Sequence, residues 1–534
     1  MSGAGGHTAI LVDPDVCDAG IDQDALVAVL RGLGAGRTML VPGLTGHPEL
    51  LTGVLRASGA QRAVVVTAHF GYPPISELRT WGVPGGLPPL GVQTVALDIL
   101  RARRSSTERL AYAVRMVRAA AAALETPATG QSVRRPVGTS LSRRGLLTGR
   151  ATTWVPVVAV EARSCLGTVR CERCVAACPQ DALQIPDVVL NGPPVVDVNL
   201  CVACSGCLDV CPSGALRLDG HDPGSLARRL RALLQGGDGA AAPALVLSCQ
   251  AAAEPVHRLG ERAGLPGWLV LELPCLGGVG NAWHLAALAT GARTVQVLPC
   301  EQCRGRESLT RDLLFTRKLL TTLGDVDAAR RVGVLPAEGA RLRHALQTAG
   351  DLASLVNGTG AGRMPSPDAI GTSARVAAWA VGELQRALGR PPQTGRARPL
   401  LIQGEGAPLG VPRTAEGCTA CGVCAHYCAN QALSLSHGLG TTELVLDPAA
   451  CSGCGTCIET CPESVLDVTS GVDVDLLIGG CVPIARVAVA ICPDCGEAVP
   501  PLPATTYLTP LPAELARRCP PCRQGALMAP GMSI

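Results

Sequence analysis

Near the start of the chain three apolar, β-branched runs recur, TAILVDPDV, RTMLVPGL and RAVVVTAHF, with amphipathic stretches between and after them. Short apolar runs bounded by polar turns read as buried strands, and the longer mixed stretches at 22–33, 50–57 and 107–124 read as helices. This alternation predicts an α/β domain over 1–125. It returns over 240–355, where ALVLSC, LVLELPC and VQVLPCEQC are separated by helical stretches and predict a second α/β domain with a parallel sheet. Elsewhere the pattern shortens to segments such as 215–218 and 432–435, which alternate as short strands. The stretches 126–153 and 389–416, rich in Pro, Gly, Ser, Thr and Arg, read as linkers. The fold class is therefore multidomain, α/β and α+β.

Charge adds one exclusion. The 46 Lys and Arg nearly balance the 43 Asp and Glu, leaving +3 and no broad cationic field for nucleic acid or anionic lipid. The opening MSGAGGHTAILVDPDV has no basic segment followed by an apolar one, and no stretch reaches about 18 uninterrupted apolar residues. The expectation is a soluble, cytoplasmic protein without a membrane span.

Cysteine changes the picture most. Of 26 cysteines, eight lie within 165–211, four within 249–303, eight within 418–461 and four within 492–522. Cys17 and Cys481 stand apart and read as small core residues. In a reducing compartment, clustering of this kind points to metal ligation rather than disulfides.

The later group of eight reads Cys418-x2-Cys421-x2-Cys424-x3-Cys428, then Cys451-x2-Cys454-x2-Cys457-x3-Cys461-Pro462. The earlier one reads Cys171-x2-Cys174-x3-Cys178-Pro179, then Cys201-x2-Cys204-x2-Cys207-x3-Cys211-Pro212, and an offset of 250 residues superimposes seven cysteines of the two groups. Both segments, 154–222 and 417–470, resemble dicluster bacterial ferredoxins. The resemblance implies four [4Fe-4S] clusters, each held by three thiolates of one run and the last thiolate of the other. The sets are Cys165, Cys171, Cys174 and Cys211; Cys201, Cys204, Cys207 and Cys178; Cys418, Cys421, Cys424 and Cys461; and Cys451, Cys454, Cys457 and Cys428. Cys165 breaks register, because Thr168 occupies the position matching Cys418. It is read as a ligand reached through a longer loop, the alternative being a three-iron cluster with Cys165 merely structural. Ala429 replaces the usual proline after Cys428. Small residues between ligands, among them Ser205, Gly206, Gly422 and Gly455, are expected to let backbone N–H groups approach the cluster sulfurs.

In the segment 240–355 each apolar run ends in cysteine. Parallel strands deliver their carboxyl ends to one edge, so Cys249, Cys275, Cys300 and Cys303 should meet, and four thiolates suit [2Fe-2S] or zinc equally. The order ALVLSC, LPCLGGVGNAWHLAALATGA, VLPCEQCRG and a basic helix over 310–324 resembles the delta subunit of methyl-viologen-reducing hydrogenases. That resemblance implies a [2Fe-2S] cluster and a link between a hydrogenase and a heterodisulfide reductase. The segment 1–125, with RAVVVTAHFGYPP, resembles the amino-terminal domain of heterodisulfide reductase A proteins without that family's cysteines.

His257 and His284 read as helix-face or surface histidines rather than ligands, and Gly277-Gly278-x-Gly280 as a βα turn, since its spacing misses G-x-G-x-x-G. Gly32, Gly34 and Gly36 close a helix instead of following a strand, which suits a C-capping turn. Ser142-Arg143-Arg144-Gly145-Leu146-Leu147 reads as basic linker. Cys492-x2-Cys495 and Cys519-x2-Cys522 predict a zinc ribbon over 485–525 with a structural Zn2+, although one iron would accept the same ligands.

No nucleophile and base constellation and no dinucleotide fingerprint accompany these sites, so no catalytic residue is assigned. The reading is an iron-sulfur electron-transfer subunit of a multi-subunit oxidoreductase. Its partners would be redox proteins: hydrogenase, heterodisulfide-reductase-like or flavoprotein subunits. The alternatives are a self-contained flavin-linked oxidoreductase and an iron-sulfur redox sensor or assembly protein.

Overall fold

The run TAILV forms strand β1 (Thr8–Val12), whose residues Ala9 to Val12 are completely buried. Such a strand is covered on both faces and has no polar side to alternate with. It pairs in parallel with β2 (Arg37–Leu40) and β3 (Arg62–Thr67), and β3 pairs in parallel with β4 (Val92–Ala96). The computed structural model describes residues 7–34, 37–101, 105–125, 131–136, 152–185, 192–221, 223–235, 244–263, 268–301, 303, 306–336, 339–355, 362–365, 372–388, 400–438, 440–497, 499 and 512–528. It divides the chain into two compact units, Met1–Val376 with Glu383–Arg390, and Ala377–Gly382 with Pro391–Ile534. Among the described residues no helix is long and apolar enough to cross a membrane.

In the first unit, helices Gln23–Gly32, Leu50–Ser58 and Ser106–Leu124 stand where the apolar pattern puts them. Asp22 caps the first by accepting from the N–H groups of Asp24 and Ala25, and Gly34 just beyond its end has φ +63°, as a C-capping turn requires. Gly36 lies outside the described residues. Helix Ile75–Gly82 and strand β4 escape the sequence pattern, because Gln93 and Thr94 interrupt the short run VQTVA.

Part of the stretch 126–153 is structured rather than linker. β5 (Ser132–Pro136) pairs antiparallel with β6 (Thr152–Pro156), and the Arg135 guanidinium donates to the carbonyls of Val198 and Asn199 at 2.8 and 3.0 Å. The remainder, including the Ser142 to Leu147 motif, lies outside the described residues. Two short antiparallel ribbons follow, β7 (Ala159–Val160) with β10 (Leu216–Arg217), and β8 (Leu183–Gln184) with β9 (Val195–Val196). Their small core includes Cys174, Cys201 and Cys207 beside Val157, Leu183 and Leu218.

The three apolar runs of the central segment become β11 (Ala244–Cys249), β12 (Trp268–Leu273) and β13 (Thr294–Leu298), joined by β14 (Val332–Val334) in a parallel sheet of order β12-β11-β13-β14. Helix Asn281–Thr290 is buried along its whole length, His284 included.

His257, on helix Glu254–Ala263, is neither exposed nor idle. It is completely buried, with Nδ1 2.5 Å from Asp98 Oδ1 and Nε2 2.9 Å from Glu272 Oε1, while Phe70 stacks on its ring at 4.4 Å. Asp98 also accepts from the N–H groups of Phe70 and Ile99. The imidazole therefore ties the amino-terminal sheet to the central one. Burial by itself would lower its pKa, but the two carboxylates raise it from the ordinary 6.5 to about 9. A histidine raised in this way contributes stability that is complete below pH 6.5 and is lost as pH climbs to about 9.

In the second unit, β15 (Leu401–Gln403) and β16 (Gly410–Thr414) flank β19 (Leu466–Asp473) antiparallel, so much of the expected linker 389–416 is sheet; 389–399 lie outside the described residues. A second antiparallel sheet orders β17 (Leu433–Gly438), β18 (Thr441–Leu446) and β20 (Val482–Ala488). At the carboxyl end the second cysteine pair opens helix Pro520–Leu527 instead of a β-knuckle, because Pro520 lacks an N–H and has the φ that a first helical turn needs.

Two outcomes are expected. The melting temperature of the wild type minus that of His257→Gln should be largest below pH 6.5 and shrink as pH approaches 9. A Cβ at Gly410 would lie 2.4 Å from Gly453 Cα, so Gly410→Ala should cost about 1–3 kcal/mol, read as a lower melting temperature of the metal-loaded protein.

Candidate metal centres

The cysteine loops owe their shape to a few left-handed residues. In Cys201-x2-Cys204-x2-Cys207 these are Ala203 (φ 55°) and Ser205 (φ 59°); 250 positions later, in the second module, they are Gly453 (φ 69°) and Gly455 (φ 78°). The same correspondence links Asp181 with Gln431 and Gly214 with Ser464. Left-handed backbone costs a non-glycine residue about 1–2 kcal/mol, so its recurrence at matched positions marks a curl that both loops require. A four-residue helix follows in each case, Gly206–Asp209 and Thr456–Glu459. Backbone N–H groups reach sulfur as expected: Ala182 donates to Cys178 Sγ at 3.3 Å and Ala432 to Cys428 Sγ at 3.2 Å.

In the first module, Cys174 is pushed up to about 11 by burial and then by Cys211, Cys171 and Cys165; Cys171 is raised by burial, with Cys211 and Cys165 adding to it. Cys165 thus stands close enough to Cys171 and Cys174 for its charge to act on both despite the break in register. Thr168, at the matching position, is buried and donates its N–H to Gly192, while the Gly167 N–H points at Cys165 Sγ at 3.4 Å. Cys178, Cys201, Cys204 and Cys207 line a single small cavity, drawn from both runs. Burial drives the Cys207 thiol far above its ordinary range, with Cys204 and Cys201 adding to it.

The second module repeats this. Burial raises Cys418, and the neighbouring Cys421 and Cys461 add to it. Burial takes Cys424 to about 12, with Cys457, Cys421 and Cys418 contributing; Cys451 reaches about 12 through burial, with Cys454, Cys457 and Cys428 contributing. Thiols in this condition keep their protons at neutral pH, and only a strong local positive charge turns such a set into thiolates. A cluster of iron ions meets that requirement and takes four thiolates, so the donor sets fit [4Fe-4S].

In the central sheet the parallel register sets Cys249 opposite Leu273, so Cys275 and Cys300 follow the ends of the two neighbouring strands. Cys249 shares hydrogen bonds with Cys275 and Cys303, and the Cys300 N–H reaches its sulfur; its contact with Cys275 raises Cys249 and lowers Cys275. The glycine turn beyond Cys275 lies hard against the first module. A Cβ on Gly277 would be 2.4 Å from the Cys204 carbonyl oxygen, one on Gly278 2.8 Å from that of Ser205, and one on Gly280 2.6 Å from Asp209 Oδ1. Cys204 stands close enough for its charge to act on Cys275.

Near the carboxyl end the ligand atoms of Cys492, Cys495, Cys519 and Cys522 all lie within 4.8 Å of one another, and the sulfurs of Cys495 and Cys519 are 3.4 Å apart. A tetrahedral ion with bonds of about 2.3 Å sets sulfurs roughly 3.8 Å apart, so the quartet fits a mononuclear site. Burial pushes Cys492 up, but N–H groups of Cys519, Asp494 and Cys495 outweigh it and bring the thiol to about 6. Cys17 and Cys481, expected in a core, are both exposed. What the sequence reading missed is the His257 bridge; two carboxylates far apart in sequence carry no local signal toward it.

The family described as a 4Fe-4S dicluster domain matches the chain twice, at residues 164–215 and 417–465. Both segments are dicluster domains with an iron-sulfur electron-transfer role; together they make up less than half of the chain. No curated protein matches the chain.

Replacing Cys165 with alanine should convert one cluster to a three-iron form, seen by electron paramagnetic resonance of the oxidised protein. If Cys165 is only structural, that spectrum will match the wild type.

Proposed function

We propose that the chain is an electron-transfer subunit of a multi-subunit oxidoreductase, hydrogenase-like or heterodisulfide-reductase-like, relaying single electrons between protein partners. Its sixteen module cysteines hold four [4Fe-4S] clusters, Cys249, Cys275, Cys300 and Cys303 hold a [2Fe-2S] cluster, and Cys492, Cys495, Cys519 and Cys522 hold a Zn2+ ion. Bound there, the clusters would supply one-electron storage and transfer.

The observation that carries this reading is the seating of Gly277 and Gly278 on Cys204 and Ser205. Any side chain at these positions would separate the central thiol site from the Cys178, Cys201, Cys204 and Cys207 set. Glycine keeps the two in contact, as a relay requires and a pair of independent structural metals does not. Partner binding is supported by apolar side chains left exposed on the first module, Val169, Val195, Leu200 and Val202 among them.

Anaerobically purified protein should contain about 18 irons and about one zinc per chain, with matching sulfide. A well-folded preparation holding zinc alone would overturn the proposal.

A further inference from the structure

β4 is the edge strand of the amino-terminal sheet and β12 the edge strand of the central sheet. They belong to separate sheets, and between them runs a seam walled by Gln93 to Ala96 on one side and Val270 to Glu272 on the other. The seam continues, through Gln93, Arg229, Gln250 and Glu272, into a cavity of about 260 Å3. Three parts of the first unit build that cavity: Arg62 and Arg79 come from the amino-terminal domain, Asp219 from the first module, and Glu272 from the central sheet.

The polar groups facing this space are not fully used. Arg229 is 8% exposed; it donates through Nη2 to the Glu272 carbonyl at 2.6 Å, and its buried Nε has no partner among the described residues. Arg79 donates through Nη1 to the Trp154 carbonyl at 2.7 Å, and its buried Nε is likewise without a partner among them. Burial lowers both guanidiniums, but only to about 10, so both are charged at neutral pH. Three guanidiniums meet two carboxylates here, and the Glu272 carboxylate is engaged by His257. The balance of the lining is cationic. A cavity of about 150 Å3 accommodates benzene, so this one has room for roughly ten non-hydrogen atoms.

We infer that the cavity is a binding site for a small oxyanion, a phosphate or a short dicarboxylate, held by Arg229, Arg79 and Arg62. Guanidinium forks suit planar or tetrahedral oxyanions, and an occupant touching all three parts of the unit would brace them against one another. No cysteine lines this cavity, though Gln250 and Pro274 in its wall adjoin Cys249 and Cys275, and the inference does not rest on the electron-transfer reading.

Titration of the full-length, metal-loaded chain with inorganic phosphate and with succinate, at constant ionic strength against chloride, tests this by calorimetry and by melting temperature. At least one anion should bind and raise the melting temperature at about 10 mM, and which one does so separates phosphate from carboxylate ligands. Arg62→Gln, at a half-buried position, should weaken binding by about tenfold, and Arg229→Gln by at least as much. Absence of binding by both anions overturns the inference, as does unchanged affinity in Arg62→Gln should Arg229→Gln fail to fold.

Discussion

Four acidic sulfurs gathered inside a small volume of protein repel one another as soon as they ionise, and burial deepens the penalty. That constraint governs both dicluster modules. The strands of the first module are short, and Cys174, Cys201 and Cys207 in one module, Cys424 and Cys451 in the other, are themselves core residues. Bound iron would neutralise thiolates in cores that these cysteines share with Leu183 and Leu218 in one module and Leu444 and Leu446 in the other. The left-handed residues at Ala203, Ser205 and Ser464 belong to the same account, since backbone strain persists only where the surroundings hold it.

The first unit is joined by contacts of three different kinds. Glycines at 277 and 278 give backbone-to-backbone proximity between the central domain and a cysteine loop, and Gly280 lies against the Asp209 carboxylate. The His257 bridge gives a buried charge interaction between two sheets, with Asp98 and Glu272 on either side of one ring. Around the cavity the parts bring guanidiniums and carboxylates together among apolar residues such as Leu90, Leu124, Pro156 and Pro274. The first contact depends on absent side chains, the second on protonation, and the third is left cationic. Each responds to a different variable, so the junctions can be perturbed separately.

The fold was legible where its cause is local. TAILV and ALVLSC are strands because their runs are mainly apolar and short, and their helical neighbours follow from apolar recurrence. VQTVA was not legible, because its burial comes from β3 and helix Ser106–Leu124 rather than from its own composition. The presumed linkers failed for the same reason: Gly410–Thr414 is a strand only because β19 offers it an edge. The second carboxyl-terminal cysteine pair, expected on a ribbon, instead starts a helix led by Pro520 and Pro521.

The sequence by itself determined where the cysteine loops lie, because thiols spaced two or three residues apart and repeated 250 positions later mark the two modules. It also determined that the central cysteines share one sheet edge, since parallel strands end on the same side. Only the tertiary structure decided that Cys165 comes near Cys171 and Cys174, that Gly277 rests on Cys204, and that His257 lies between Asp98 and Glu272. These depend on pairs of residues separated by tens to more than a hundred positions or on the course of a whole loop. No local periodicity encodes such distances; they are settled by how the folded parts pack.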